Sequence, residues 1–241
     1  MSGGTAMVMA GGQGMRMQRS GMDVPKALVP VAGVPLIERN VRQLARSGFT
    51  RVMVATPPAG SPVAVYAAET VVALAHELGI EVSIHPEERP LGNIGAVSAA
   101  AGLAEPLLVV FADNLTALDL RAIRDFHIER GAALTLAVHT QPFKMPFGEV
   151  VVEGDAITDY IEKPTYQIPV CSAVAVLSPE AIALVGADES VGISDLARRA
   201  VAAGLPVLAF RHEALWIDVN EQADVIRAEQ MVAGNPEAFA L

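Results

Sequence analysis

Residues 6–36 read AMVMAGGQGMRMQRSGMDVPKALVPVAGVPL. The run Ala6–Ala10 has the short, apolar character of a buried strand, and it stops at Gly11-Gly12-Gln13-Gly14. Arg16 follows, then eight residues, then Pro25-Lys26 and a second apolar run. A strand ending in a glycine turn lets backbone N–H groups approach phosphate oxygens with no Cβ in the way. Two cations close behind it offset polyphosphate charge. Glycine turns after strands are also common as plain structure, so the spacing carries the weight. It is not the G-x-x-x-x-G-K-[ST] of a P-loop. Nor is it a dinucleotide fingerprint, because Arg16 and Met17 stand where that motif needs its closing glycine.

The rest of the chain narrows the class. With 241 residues, 52% of them hydrophobic, it is long enough for one α/β domain with a large core. A net charge of −10 argues against nucleic acid as a partner, since that needs a basic face. Such an acidic chain must gather its few cations where a polyanion binds, and Arg16, Lys26 and Lys163 are the candidates. Cys171 is the only cysteine, so no disulfide framework or cysteine metal cluster is available. The five histidines are scattered without metal-ligand spacing. The longest charge-free run, 52–68, contains Pro57, Pro58 and Pro62, and no basic leader precedes an apolar segment. These features predict a cytoplasmic, soluble protein with no membrane span.

Strand-like and helix-like segments alternate. Strands are predicted at Ala6–Ala10, Val52–Ala55, Glu81–Ile84, Leu107–Phe111 and Leu134–His139. Helices are predicted at Ile37–Ala45, Val63–Leu78, Gly95–Leu103 and Ala117–Arg130, with Gly48, Gly79 and Gly131 as stops. Alternation of this kind implies a parallel sheet with right-handed crossovers. After Thr140 the pattern changes. Glu149–Glu153 and Ile157–Ile161 flank Gly154-Asp155 as a hairpin, and Cys171–Leu177 and Val207–Phe210 are strands. Pro179–Val185, Asp195–Ala203 and Glu221–Val232 are helical, the last capped by Asn220.

Asp113 follows the strand 107–111, at the end where α/β sheets bind ligands, although aspartate is also a common turn residue there. Asp218 stands ahead of the final helix. Mg²⁺ usually takes one or two carboxylates plus substrate phosphate oxygens. Glu88, in a charged run with Glu87 and Arg89, could accept two N–H bonds from a guanine edge or simply be solvated.

The loop 11–16 with Pro25-Lys26 resembles the signature of the sugar-1-phosphate nucleotidyltransferases. Further segments resemble that family in order. Leu91-Gly92-Asn93-Ile94-Gly95-Ala96 is similar to its L-G-T-A-G-A, and Ala112-Asp113 to its Gly-Asp. Gly148-Glu149-Val150 with Glu162-Lys163-Pro164 is similar to its yGvv…EKP, and Trp216-Ile217-Asp218-Val219 to its W-x-D-[IV]. The resemblance runs from Met7 to about Met231.

It implies an α/β fold with a doubly wound, mostly parallel mixed sheet of the Rossmann-like nucleotidyltransferase type. One domain would span 1–241, with a nucleotide half at about 1–140 and a sugar-phosphate half at about 141–241. It implies a transferase of nucleotide-sugar biosynthesis that condenses a nucleoside triphosphate with a sugar 1-phosphate, releasing pyrophosphate, with Mg²⁺ as cofactor. Ala10, Gly11, Gly12, Gly14, Arg16, Lys26, Glu88, Gly92 and Gly95 would bind the nucleotide, with GTP favoured through Glu88. Gly148, Glu162, Lys163 and Ala173 would hold the sugar phosphate. Arg16, Lys26 and Lys163 would be the catalytic cations, and Asp113 and Asp218 the metal ligands. Relatives commonly self-associate, which leaves a homo-oligomer open.

The chain departs from the family at Cys171–Val176, which replaces a pattern nearer N-x-G-I-Y-V. Ala173 adds a methyl, Ala175 lacks the aromatic ring, and Met15 replaces a threonine. An unusual sugar is therefore expected. Two alternatives stand beside this reading: nucleotidyl transfer to a non-sugar phosphate such as phosphocholine, and a catalytically silent nucleotide-sugar-binding regulatory protein.

Overall fold

Ala6 and Val8 pack into one apolar cluster and Met7 and Met9 into another, so the first strand is buried on both faces. Unbroken apolar strands of this kind need helices on both sides of the sheet. The computed structural model describes residues 3–11 and 24–241. Its strands are β1 (Gly4–Met9), β2 (Pro30–Val31), β3 (Val34–Pro35), β4 (Phe49–Thr56), β5 (Glu81–Pro86), β6 (Leu107–Phe111) and β7 (Asn114–Thr116). They continue as β8 (Leu134–Lys144), β9 (Glu149–Glu153), β10 (Ala156–Ile161), β11 (Thr165–Leu177), β12 (Val207–Arg211) and β13 (Trp216–Asp218). The α-helices are α1 (Leu36–Arg46), α2 (Pro62–Tyr66), α3 (Val72–Leu78), α4 (Leu120–Glu129), α5 (Pro179–Ile182), α6 (Ile193–Ala202) and α7 (Gln222–Gly234).

Seven strands form the central sheet in the order β12-β8-β11-β6-β1-β4-β5. β11 runs antiparallel to both β6 and β8, and the other neighbouring pairs are parallel. Ile37, Val41 and Leu44 of α1, Val63 of α2, Leu74 of α3 and Ile123 of α4 pack on one face. Val97 of the 3-10 turn Gly95–Ala100, Ile182 of α5 and Leu196 of α6 cover the other. The doubly wound, mostly parallel mixed sheet read from the sequence is therefore the fold. A third cluster joins Val29, Val31 and Leu36 to Leu115, Val219, Val225 and Phe239, and it seats α7 against the β2–β3 hairpin.

Several local readings change. The segment Gly95–Ala100 is a 3-10 turn, not an α-helix. The helix over 62–78 carries a π turn, Ala67–Val71, between α2 and α3. Helix α4 begins at Leu120, because the Asp119 side chain accepts from Arg121 N at 2.9 Å and Ala122 N at 3.0 Å and caps it there. Helix α7 is capped by a Glu221–Asp224 capping box and not by Asn220, whose side chain is engaged elsewhere. Strands β8 and β11 run well beyond their predicted ends. Together with the β9–β10 hairpin they form an arm whose residues, Phe143, Phe147, Ile157 and Tyr160 among them, are exposed. Among the described residues no helix is long and apolar enough to cross a membrane.

One buried polar knot joins α4, β8 and the start of α5. His127 bonds Thr135 Oγ1 through Nδ1 and Ser178 Oγ through Nε2, both at 2.9 Å. Ser178 Oγ donates to Ala132 O at 2.8 Å, so it accepts from His127, which places the ring proton on Nε2. Burial pushes the His127 pKa down to about 4, against a weaker upward pull from Glu180. The unfolded chain therefore takes up this proton first. The stabilisation is complete above the unfolded pKa of about 6.5 and is lost as pH falls through it towards 4. His127→Gln has no such titration. Urea unfolding at pH 7 and pH 4.5 should show the gap between wild type and variant narrowing by about 2–3 kcal/mol at the lower pH. A gap that stays constant contradicts the assignment.

Candidate functional site

The carboxyl ends of β1, β4, β5 and β6 meet at one edge of the sheet, where open α/β sheets take ligands. Three backbone bonds lock that edge: Ala10 N to Ala55 O at 2.8 Å, Ala112 N to Met9 O at 3.0 Å and Glu87 N to Thr56 O at 2.8 Å. They bring Gly11, Glu87 and Asp113 to it.

Asp113 and Asp218, distant in sequence, meet here. β13 pairs antiparallel with β7 so that Asp218 lies opposite Asn114, and Val219 N donates to Asp113 O at 2.9 Å. Lys26, in the 3-10 turn Lys26–Leu28, places Nζ 3.2 Å from Asp113 Oδ2 and 2.5 Å from Asn220 Oδ1. Burial first, and then the Asp113 charge, push the Asp218 pKa up from the usual carboxylate range. Asp218 Oδ1 is buried and has no hydrogen-bond partner among the described residues. Burial and a like charge both disfavour the ionised carboxylate, and that is the environment in which a cation binds well. No three His, Cys, Asp or Glu side chains gather as a metal group among the described residues. The pair alone therefore fits a hard divalent ion that completes its shell with water and substrate oxygens, such as Mg²⁺.

Asn40, which the sequence reading passed over, holds the backbone on both sides of Asp113. Its Nδ2 donates to Ala112 O at 3.4 Å and Asn114 O at 3.3 Å, besides Leu36 O at 2.9 Å. A polar residue on the buried face of α1 was the available signal.

The glycine loop is only partly in view. Gly12, Gly14 and Arg16 lie outside the described residues. Ala10 is buried at the end of β1. A Cβ on Gly11 would come within 1.9 Å of Glu87 Oε1, so glycine is needed for the close approach of this carboxylate. Glu87 is buried and accepts from Leu91 N at 3.1 Å, and burial raises its pKa. Its neighbour Glu88 is exposed. At Gly92, where φ is +77°, a Cβ would lie 2.3 Å from Val191 O; at Gly95 it would lie 2.4 Å from Glu189 O. Packing of the 189–191 backbone across the 91–95 loop thus accounts for both glycines.

On the second half of the chain, Gly148 faces the Tyr160 ring, whose hydroxyl would lie 2.2 Å from an added Cβ. Glu162 and Lys163 pair with each other at 3.7 Å on the exposed arm. Among the described residues neither bonds to Asp113, Asp218 or Lys26. Ala173 lies in a β-bulge between Cys171 and Ala175 with φ +53°, in the left-handed region that favours glycine. Ala173→Gly is therefore expected to stabilise the fold by about 0.5–1 kcal/mol in thermal unfolding, and a loss of stability contradicts the strain.

The same bulge buries Ser172 between two imidazoles, at 2.8 Å from His139 Nδ1 and 2.7 Å from His212 Nε2. The His139 ring packs on Trp216 with centroids 4.8 Å apart. Trp216 and Asp218 are two apart on β13 and share a face. Burial first, and His139 second, push the His212 pKa down. Trp216 Nε1 and His212 Nδ1 are buried without partners among the described residues. Scattered singly in the sequence, these residues gave no spacing signal; only the strand pairing gathers them.

A model of the nucleotidyl transferase family matches residues 5–234. Among curated proteins, the mannose-1-phosphate guanylyltransferase of Mycobacterium tuberculosis is 32% identical over 170 residues, covering 68% of this chain and 46% of its own length. The UTP–glucose-1-phosphate uridylyltransferase of a Synechocystis strain is 24% identical, covering 92% of this chain and 62% of its own length. The chain thus spans about half to two thirds of the length of these relatives. Among solved structures, the inositol-1-phosphate CTP transferase of T. maritima superposes with a TM-score of 0.71 at 20% identity, covering 100% of this chain and 99% of that one. HddC from Yersinia pseudotuberculosis, complexed with GMP-PN, superposes with a TM-score of 0.71 at 20% identity, covering 94% and 98%. With the family's motifs in order along the sequence and its fold across the whole sheet, the chain belongs to the nucleotidyl transferase family.

Proposed function

We propose that this chain transfers a nucleotidyl group from a nucleoside triphosphate, GTP first among them, to a sugar 1-phosphate, releasing pyrophosphate. The observation that carries this reading is the Asp113–Asp218–Lys26 cluster at the carboxyl edge of the sheet. Mg²⁺ held by Asp113 and Asp218 would supply charge neutralisation to the triphosphate and the incoming phosphate. Lys26 and Arg16 would steady the departing pyrophosphate, and Asn40 and Asn220 hold Asp113 and Lys26 in place. The acceptor's phosphate oxygen attacks the α-phosphorus in line, so the protein's task is positioning and electrostatics with no covalent intermediate. GTP is favoured because a curated relative is named a guanylyltransferase and because the exposed Glu88 follows Glu87, which packs against the Gly11 backbone.

The acceptor side differs from the family pattern where Ala173 sits. The His139–Ser172–His212 chain and the Trp216 indole lie beside it, on the face of β13 that also carries Asp218. Two imidazoles, a hydroxyl and an indole suit hydroxyls and a sugar face better than a second phosphate, which Lys163 would meet from the arm.

A grid of nucleoside triphosphates against sugar 1-phosphates, including amino, deoxy and heptose sugars and phosphocholine, tests the reading by pyrophosphate release with Mg²⁺. Release with a sugar 1-phosphate, abolished by EDTA, is expected. Release only with phosphocholine, or with no acceptor at all, contradicts it.

A further inference from the structure

A second, small cleft, partly open to solvent, lies beside β7 and is walled by Arg39, Gln43 and Arg46 of α1, by Asn114 and Phe239, and by Leu241. Arg39, Gln43 and Arg46 are four and three residues apart, so one helix face presents two guanidinium groups to it. Arg39 is only 6% exposed. Its Nε donates to Val31 O at 2.9 Å, and among the described residues no carboxylate pairs with Arg39 or Arg46. Burial lowers the Arg39 pKa. A buried guanidinium with N–H donors to spare and no acidic side chain against it among the described residues is the donor set of an oxyanion site. Arg46, on the exposed rim, also donates to Ala240 O.

Asn114 adds a different group to the cleft. Asn114 is 4% exposed; its Nδ2 donates to Asp113 Oδ1 at 3.3 Å, and its own Oδ1 is buried without a partner among the described residues. A ligand there must accept from guanidinium groups and also donate one hydrogen bond. Orthophosphate at neutral pH does both, because it keeps a P–OH. Sulfate and fully ionised phosphate monoesters have no proton to give. We propose that this cleft binds orthophosphate, with the arginines on its oxygens and its hydroxyl on Asn114, one hydrogen bond from Asp113.

Calorimetric titration of the full chain with inorganic phosphate and with sulfate, each at pH 7, tests this. It does not depend on the reaction proposed above, and turnover of the same samples is scored separately. Wild type and Lys26→Met should bind phosphate equally, with sulfate about tenfold weaker or more. Arg46→Gln should weaken phosphate about tenfold, as the loss of a charge-assisted hydrogen bond implies. Because Arg39 is part of the packed interior, Arg46 on the rim is the decisive variant. Phosphate binding that survives Arg46→Gln but disappears in Lys26→Met puts the anion at the carboxylate cluster and overturns the proposal. So does sulfate binding as tightly as phosphate, or no binding by the wild type.

Discussion

Asp218→Asn is expected to cut turnover severely while raising the melting temperature. The two effects share one cause. Asp218 is partly buried beside Asp113, and its Oδ1 has no partner among the described residues, so its charge costs stability in the protein alone. Asparagine keeps the size and removes the charge. With a divalent cation and a triphosphate in place, that same charge would become the means of holding the metal. Its loss should lower the rate roughly a thousandfold, the several kcal/mol that Lewis-acid and charge-neutralising roles supply. Pyrophosphate release and thermal unfolding on the same sample measure both. Lost activity with a lowered melting temperature would make Asp218 a structural residue, and unchanged activity would remove it from the site.

Lys26→Met is expected to fail in both respects. Lys26 pairs with Asp113 at 3.2 Å and bonds Asn220 at 2.5 Å, in a site only partly open to solvent. Removing the ammonium leaves two carboxylates facing each other without a cation. Stability should fall by about 1–3 kcal/mol, as for a partly buried pair broken from one side. Turnover should fall about 10²–10³-fold, the usual effect of losing one preorganised charge stabiliser. The double variant Lys26→Met/Asp218→Asn should recover most of the lost stability and none of the activity, because the two groups are coupled. Additive stability changes would contradict that coupling.

The central sheet was legible because its strands are short apolar runs punctuated by glycines. Gly48 and Gly79 end helices with φ of +84° and +66°, and Leu107–Phe111 forms a strand with the predicted bounds. Strands β7 and β13 were not legible. They are three residues each, and they exist because they pair with each other across the chain. That pairing is also what brings Asp113 to Asp218, so the carboxylates could be nominated from motifs but not positioned. Glu87 could not be told from Glu88, since only the approach of the Gly11 backbone separates a buried carboxylate from an exposed one. The histidine–serine cluster was missed because residues 139, 172 and 212 share no local pattern. By contrast, the misfit at Ala173 was visible in the sequence and reappears as a positive φ within a bulge.

The central claim is that Asp113 and Asp218 share one divalent cation. Titrating Mn²⁺ into the protein with a non-hydrolysable GTP analogue, followed by electron paramagnetic resonance, tests it most directly. One tightly bound Mn²⁺ is expected in the wild type, with Asp113→Asn and Asp218→Asn each weakening it by a similar factor of about ten or more. Mn²⁺ binding that is unchanged in either variant would contradict the claim.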